Sequence, residues 1–72
     1  MQMDSREIGL KIKERRNILN LQQKDLAELS SVSLRTIIQI ENGNGNPSLK
    51  TLLNLLKVLG VELQLIVNTK HL

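Results

Sequence analysis

Arg35 and Gln39 are the residues of this 72-residue chain best suited to making directed pairs of hydrogen bonds with another molecule. They lie four positions apart, so a helix would place them on one face. An Arg side chain can donate two hydrogen bonds to the O6 and N7 atoms of guanine, and a Gln side chain can pair with adenine in the same way. The spacing therefore predicts a helix face that could contact base edges.

Apolar residues on the same face strengthen this interpretation. Ser33, Leu34 and Ile38 would share the outward surface with Arg35 and Gln39. A plain solvated face explains Arg35 and Gln39 equally well, but it does not explain exposed leucine and isoleucine side chains. An apolar side chain at either position can contact the methyl group of thymine. We therefore expect all five residues to form a surface that contacts DNA.

A second set of residues could contact the phosphate backbone. Amide and hydroxyl side chains, lysines and the N–H groups at helix N-termini make many of the phosphate contacts that position DNA-binding proteins. In a Gly-rich loop, asparagine more often serves the turn itself. The candidates for phosphate contact are Gln22, Gln23, Asn46, Ser48 and Lys50.

Residues for catalysis are scarce. His71 is the only histidine, it lies in the C-terminal tail, and the chain contains no cysteine. The segment Asn42-Gly43-Asn44-Gly45 could suggest a phosphate-binding loop, but no predicted strand precedes it and no Gly-Lys-Ser/Thr ends it. The sequence therefore predicts a protein that is not an enzyme and uses neither a metal nor a cofactor.

The composition predicts one small domain with an aliphatic core. Aromatic residues are absent, so leucine, isoleucine and valine must form that core. A chain of this size buries only about 60% of the surface that its unfolded chain exposes, so its core is marginally stable. Association with a second copy is the expected way to stabilise it. The net charge of +3 is weak support for an acidic partner. No apolar run could span a membrane and no signal peptide is recognisable, so we expect a cytoplasmic protein.

The hydrophobic pattern predicts a mostly helical domain that occupies residues 1–72. Ser33 is placed to cap the third helix, and Gly60 to end the fourth. After the fourth helix, apolar and polar residues alternate with the period of a strand. The predicted helices cover about residues 5–19, 22–29, 34–41 and 48–59, and the strand about 61–67.

The second and third predicted helices are joined by only four residues, Ser30-Ser31-Val32-Ser33. Such a short polar connection is a turn that holds the two helix axes close to perpendicular. The apolar residues predicted to pack these helices together are Leu26, Ala27, Val32, Ile37 and Ile40. This arrangement is a helix-turn-helix, in which the second helix of the pair enters the major groove of DNA.

The predicted strand has no partner within the chain. Its backbone groups must therefore pair elsewhere, and the simplest partner is the same strand of a second copy across a two-fold axis. The leucines of the fourth helix also cover more than one face, which exceeds what a monomer core needs. The predicted dimer-interface residues are Val61, Leu63, Leu65 and Val67.

The segments Gln22–Ala27, Val32–Ile37 and Ile40–Gly43 resemble the Cro/C1 (Xre) helix-turn-helix family. The resemblance covers about residues 8–59 and implies a lambda-repressor-like DNA-binding domain. It implies that Gln23 contacts the DNA backbone or a base. It also implies a structural ion pair between Arg16 and Glu41.

The segments Asn44–Leu52 and Leu59–Leu65 are similar to the HipB-type antitoxins within that family. This similarity implies a homodimer with paired C-terminal strands, which represses its own operon and binds a HipA-type serine/threonine kinase toxin. Ser33, Leu34, Arg35, Ile38 and Gln39 form the predicted reading face, the outward face of the third helix. Apolar Leu34 and Ile38 depart from the polar residues often found on this face in the family. At the start of the second helix, Gln22 replaces the usual Thr or Ser. The leading hypothesis is thus a dimeric repressor and antitoxin. The alternative is a module that mainly neutralises a toxin, with DNA binding secondary.

Overall fold

The structure, a computed structural model, describes residues 4–67 as four helices joined by short connections. The helices are α1 (Ser5–Ile18), α2 (Gln23–Ser30), α3 (Leu34–Glu41) and α4 (Leu49–Leu59). The predicted four-helix arrangement is confirmed, with small shifts where helices start or end. Helix α1 packs mainly against α3, and α2 packs against both α3 and α4.

Helix α1 ends one residue earlier than predicted because Asn20 adopts the left-handed conformation, with φ +58°. The Asp4 carboxylate caps the start of the helix by accepting a hydrogen bond of 2.9 Å from the backbone N–H of Glu7. At the other end, the N–H of Leu21 donates to the carbonyl of Arg16 at 3.1 Å. This six-to-one hydrogen bond closes the helix and turns the chain toward α2.

Gln22 lies just before α2 as its N-cap residue, so the helix starts one position later than predicted. The N–H of Gln22 donates a 2.8 Å hydrogen bond to Oδ2 of Asp25. This bond is the acidic half of a capping box, and it supports the helix start where Thr or Ser is more usual. Helix α4 likewise begins at Leu49 with Ser48 as its cap.

The core is built from aliphatic side chains of all four helices and the connection between α2 and α3. Leu26, Ile37, Leu55 and Leu59 are almost completely buried. Of the five residues predicted to pack the helix-turn-helix, four belong to this core, and Ala27 is half-buried against it. The buried apolar residues are Ile12, Leu26, Val32, Ile37, Ile40, Leu55, Leu56 and Leu59.

Gly9 lets α1 and α3 approach closely. A Cβ atom at this position would overlap the carbonyl oxygen of Ile40 and lie 3.3 Å from the carbonyl carbon of Glu41. A glycine inside a helix costs about 1 kcal/mol relative to alanine, so it usually has a packing reason. Here the absent side chain allows the backbone of α3 to rest directly on α1.

The turn between α2 and α3 is fixed by a buried hydroxyl. Ser30 Oγ donates a 2.6 Å hydrogen bond to the carbonyl of Leu26 and accepts one of 3.2 Å from the N–H of Val32. Ser31 follows in the left-handed conformation with φ +60°. This turn sets the angle at which α3 leaves α2, and therefore the direction of the predicted reading face.

Residues 61–67 follow α4 without regular secondary structure. Gly60 ends α4 as predicted, in the left-handed conformation, and the N–H of Val61 donates to the carbonyl of Leu56 at 2.9 Å. Arg15 Nε also donates to the carbonyl of Leu59 at 2.9 Å, which fixes the end of α4 against α1. The predicted strand is not present within residues 4–67, since a strand needs a neighbour for its hydrogen bonds; the pairing between two copies stays a prediction.

Candidate nucleic-acid interface

The outward face of α3 carries the five residues that the sequence predicts as base contacts. Arg35, Gln39 and Ser33 are exposed. Leu34 and Ile38 are 42% and 38% exposed, although both are large apolar residues. The structure therefore brings all five together on one accessible surface, opposite the buried side of the helix.

The N-termini of α3 and α4 share one capping arrangement. Each starts with Ser-Leu-basic-Thr, as Ser33-Leu34-Arg35-Thr36 and Ser48-Leu49-Lys50-Thr51. In both, the serine Oγ accepts a 3.1 Å hydrogen bond from the threonine N–H and donates to the threonine Oγ1. The two serine hydroxyls thus stabilise helix starts, and each helix presents an exposed leucine and an exposed basic residue in its first turn.

A polar depression of about 250 Å³ connects the face of α3 with the loop before α4. Thr36 and Gln39 line it from α3, and Thr51 lines it from α4. Asn46 contributes from the loop and is exposed. The N–H of Asn44 donates to the Gln39 carbonyl at 2.8 Å, which holds the loop against the end of α3. Asn46 and the α4 N-terminus are therefore continuous with the reading face.

The predicted ion pair between Arg16 and Glu41 is a buried, two-point contact. Arg16 Nε donates to Glu41 Oε2 at 2.7 Å, and Nη2 donates to Oε1 at 2.9 Å. A third guanidinium nitrogen, Nη1, donates to the carbonyl of Leu21 at 2.7 Å. The pair joins α1 to the last residue of α3, and no buried side-chain nitrogen or oxygen within residues 4–67 is left without a partner.

Hydrogen bonding to Glu41 raises the pKa of Arg16 above its ordinary value, against the opposing effect of burial. A raised pKa means that the folded state binds the proton more tightly than the unfolded state does. The resulting stabilisation is complete at neutral pH and is lost only as the pH rises through the folded-state pKa, in strongly alkaline solution. Arg16 therefore stays charged wherever the protein functions.

Gln23 belongs to the same network. Its Nε2 donates a 3.1 Å hydrogen bond to Glu41 Oε1, the oxygen that also accepts from Arg16. The residue lies at the start of α2 and is half-buried, whereas Gln22 beside it is exposed. The amide of Gln23 has further hydrogen-bonding capacity beyond this bond. Glu41 thus fixes the orientation of a side chain that the sequence assigns to DNA contact.

Two residues of this surface were not among the sequence-predicted contacts. Thr36 and Thr51 line the depression between α3 and α4, and both are half-buried. The repeated Ser-x-x-Thr spacing was the available signal, because a threonine three residues after a capping serine can bond with it. Both line the same depression as the predicted contacts Gln39 and Asn46.

Two other kinds of function find no support in the described part of the chain. Within residues 4–67, no three side chains of His, Cys, Asp or Glu are grouped as a metal site would require. No helix in that range is long and apolar enough to cross a membrane.

Comparison with known proteins agrees with this geometry. The HTH_3 family model, described as helix-turn-helix, matches residues 12–66. An uncharacterized HTH-type transcriptional regulator of Methanocaldococcus jannaschii, MJ0272, is 44% identical over 54 residues. That alignment covers 75% of this chain and 82% of the relative.

Among solved structures, the restriction-modification controller protein C.AhdI from Aeromonas hydrophila is similar, with a TM-score of 0.77 and 31% sequence identity. The similarity covers 81% of this chain and 88% of that protein. The family match over residues 12–66 includes the second half of α1 and all of α2, α3 and α4. The chain therefore belongs to the Cro/C1-type helix-turn-helix family of DNA-binding transcriptional regulators.

Proposed function

We propose that this protein is a sequence-specific repressor that inserts α3 into the major groove of operator DNA. The observation that carries the proposal is the composition of the exposed α3 face. Arg35 and Gln39 supply paired hydrogen-bonding groups, and Leu34 and Ile38 lie exposed beside them. This combination is suited to base-edge recognition, because guanine and adenine present hydrogen-bonding pairs and thymine presents a methyl group.

The phosphate contacts in this proposal come from the starts of α2 and α4. Gln22 and Gln23 flank the α2 N-terminus, where free backbone N–H groups favour an anion. Asn46, Ser48 and Lys50 surround the α4 N-terminus, beside the polar depression that reaches Gln39. Contacts at two helix starts would fix how α3 lies in the groove.

A gel-shift titration against the DNA upstream of its own gene tests the reading face. We expect Arg35→Ala and Gln39→Ala each to weaken specific binding by about 1–3 kcal/mol, because each removes a paired contact with a base. Binding to unrelated DNA should change much less for Gln39→Ala, which removes no charge.

Lys13→Ala is the matched control for the loss of a positive charge, since Lys13 is exposed on α1 outside the proposed interface. Equal effects of Arg35→Ala and Lys13→Ala on specific binding would contradict the assignment of the reading face.

We further propose that the protein acts as a homodimer whose residues 61–67 pair between two copies. Two α3 helices held about 34 Å apart would contact half-sites one turn of DNA apart. The support is the alternating pattern of Val61, Leu63, Leu65 and Val67, together with the exposure of these side chains in a single chain. Sedimentation equilibrium of the intact protein tests this step; a monomer at micromolar concentration would contradict it.

The product of a neighbouring gene is the proposed second partner. The HipB-like segments favour a HipA-type kinase toxin, which would make this protein an antitoxin that represses its own operon. The similarity to a restriction-modification controller favours a neighbouring restriction-modification system instead.

Co-expression with each adjacent reading frame separates these alternatives. Co-purification of a kinase supports the antitoxin. A module that mainly neutralises a toxin would bind the kinase and show little preference for operator DNA. Specific binding to operator DNA without any co-purifying partner supports a controller of a restriction-modification system.

A further inference from the structure

An apolar groove of about 240 Å³ lies between α1, α4 and the segment that follows α4. Ile8 and Ile12 line it from α1, and Leu52, Leu56 and Leu59 line it from α4. Residues 61–64 form a further wall, and Lys11 and Arg15 also border the groove. The groove is therefore an opening in the hydrophobic core at the place where the C-terminal segment leaves the domain.

The second half of the same segment is apolar and exposed. Leu65 is 93% exposed, Ile66 is 86% exposed, and Val67 is 74% exposed. Among the non-helical backbone hydrogen bonds of residues 4–67, none involves residues 62–67. The chain thus carries an unpaired apolar segment directly beside an unfilled apolar groove.

We propose that this groove is filled by Leu65 and Val67 of a second copy, in an antiparallel strand pair in which Gln64 faces the partner's Gln64. This proposal rests on the dimer of the proposed function and adds its register and the site that the partner's side chains occupy.

The register follows from the alternation of the segment. With Gln64 opposite its own counterpart, Val61 lies opposite the partner's Val67, and Leu63 lies opposite the partner's Leu65. Directly opposed side chains of an antiparallel pair lie on the same face of the sheet. All four apolar residues then share the face that continues from the groove, whereas Glu62, Gln64 and Ile66 share the other face.

A shift of the register would lose this match. Side chains alternate with a period of two, so moving the centre of the pair to residue 65 still leaves the four apolar side chains on one face. Val61 would then lie opposite residue 69, which is outside the alternating segment. A centre at Gln64 pairs every residue from 61 to 67 with another in that range.

Cysteine cross-linking tests the register directly, because the natural chain contains no cysteine. Opposed residues of an antiparallel pair have Cα atoms about 4.5–5.5 Å apart, within the range that a disulfide spans. We expect Gln64→Cys to form a covalent dimer under mild oxidation. Glu62→Cys, on the same face, should not, because residue 62 lies opposite residue 66.

Sedimentation of the wild-type chain separates the possible failures. A dimer whose Gln64→Cys variant does not cross-link, or whose Glu62→Cys variant cross-links equally well, would overturn the register and leave the dimer standing. A monomeric wild type would overturn the dimer of the proposed function and this inference together.

A matched pair of substitutions tests the groove. Leu65→Asn and Ile66→Asn place the same neutral polar side chain at adjacent positions that are both largely exposed in the single chain, so neither should unfold the helices. Leu65→Asn should raise the dimer Kd by at least about tenfold, because it buries an amide in an apolar groove in both subunits. Ile66→Asn, on the opposite face beside the partner's Glu62, introduces no charge and should raise the Kd far less. Equal effects, with helix content unchanged by circular dichroism, would overturn the assignment.

Discussion

Glu41 is the residue on which the contacts between α1, α2 and α3 converge. Its carboxylate accepts hydrogen bonds from Arg16 and from Gln23, and its side chain is 1% exposed. Pairing and hydrogen bonding offset much of the cost of burying this charge. The same interactions orient Gln23 at the start of α2, so one buried side chain links stability to the proposed DNA contact.

Glu41→Ala should reduce the free energy of unfolding by about 3–5 kcal/mol, because it leaves the Arg16 guanidinium buried without its charge partner. Urea denaturation measures this change. Glu28→Ala, at an exposed position of α2, is the control and should change stability by less than about 0.5 kcal/mol. Similar stabilities for the two variants would show that the pair is dispensable.

Gly9→Ala should destabilise the fold by about 3 kcal/mol or more, because the added methyl group overlaps the Ile40 carbonyl and must force α1 and α3 apart. Thermal unfolding followed by circular dichroism measures the loss. Asn17→Ala, exposed on the same helix, controls for the introduction of alanine. A stabilised Gly9→Ala variant, as helix propensity alone would give, would contradict the close packing.

At the scale of the element, the turn between α2 and α3 determines the direction of the proposed reading face. Ser30→Ala removes a buried hydroxyl and leaves the Val32 N–H without its hydrogen-bond partner. We expect a loss of about 1–3 kcal/mol in the free energy of unfolding. Ser31→Ala, at the exposed neighbouring position, loses no such bond. A chemical denaturation midpoint for Ser30→Ala equal to that of wild type would contradict this role of the hydroxyl.

Helix α4 offers a matched test of phosphate contact. Lys50 lies in its first turn, beside the candidate interface, and Lys57 lies in its last turn. Lys50→Ala should weaken binding to specific and unrelated DNA alike. The slope of log K against log salt concentration should become shallower by about 0.9 per subunit, because each subunit neutralises one fewer phosphate. Fluorescence anisotropy over a range of salt concentrations measures this slope. Lys57→Ala should leave it unchanged; the reverse pattern would exclude Lys50.

The elements that local patterns specify were predictable from the sequence. The apolar spacing that includes Leu26 and Ile37 indicated helices packed through a short turn, and both side chains are fully buried. Ser33 was recognisable as a cap because its role depends on residues three positions away. These signals lie within single helices or adjacent ones, where periodicity and capping are informative.

Contacts between distant positions were less predictable. The hydrogen bond from Gln23 to Glu41 joins residues 18 positions apart, and the packing of Gly9 on Ile40 joins residues 31 apart. Neither spacing has a local signature. The family resemblance supplied the Arg16–Glu41 pair, but residue types alone did not require it. The strand predicted over residues 61–67 does not form in the single chain, because its predicted partner is another copy.

At the scale of the whole molecule, the proposed dimer would bring together two copies of α3, one from each chain. The described chain has a small aliphatic core and an exposed apolar segment at its C-terminal side. Burying that segment between two copies would add to the stability of the domain, since hydrophobic burial is the main favourable contribution to folding and association. It would also set the distance between the two α3 helices.

Hydroxyl-radical footprinting of the wild-type protein on the DNA upstream of its gene tests whether a dimer binds this DNA through its two α3 helices. We predict two protected half-sites related by two-fold symmetry, with centres about 10–10.5 base pairs apart or a multiple of this spacing. The Arg35→Ala, Gln39→Ala double variant should lose both half-sites together. A single protected half-site, protection without a preferred position, or a footprint unchanged in the double variant would contradict a dimeric repressor that reads DNA through α3.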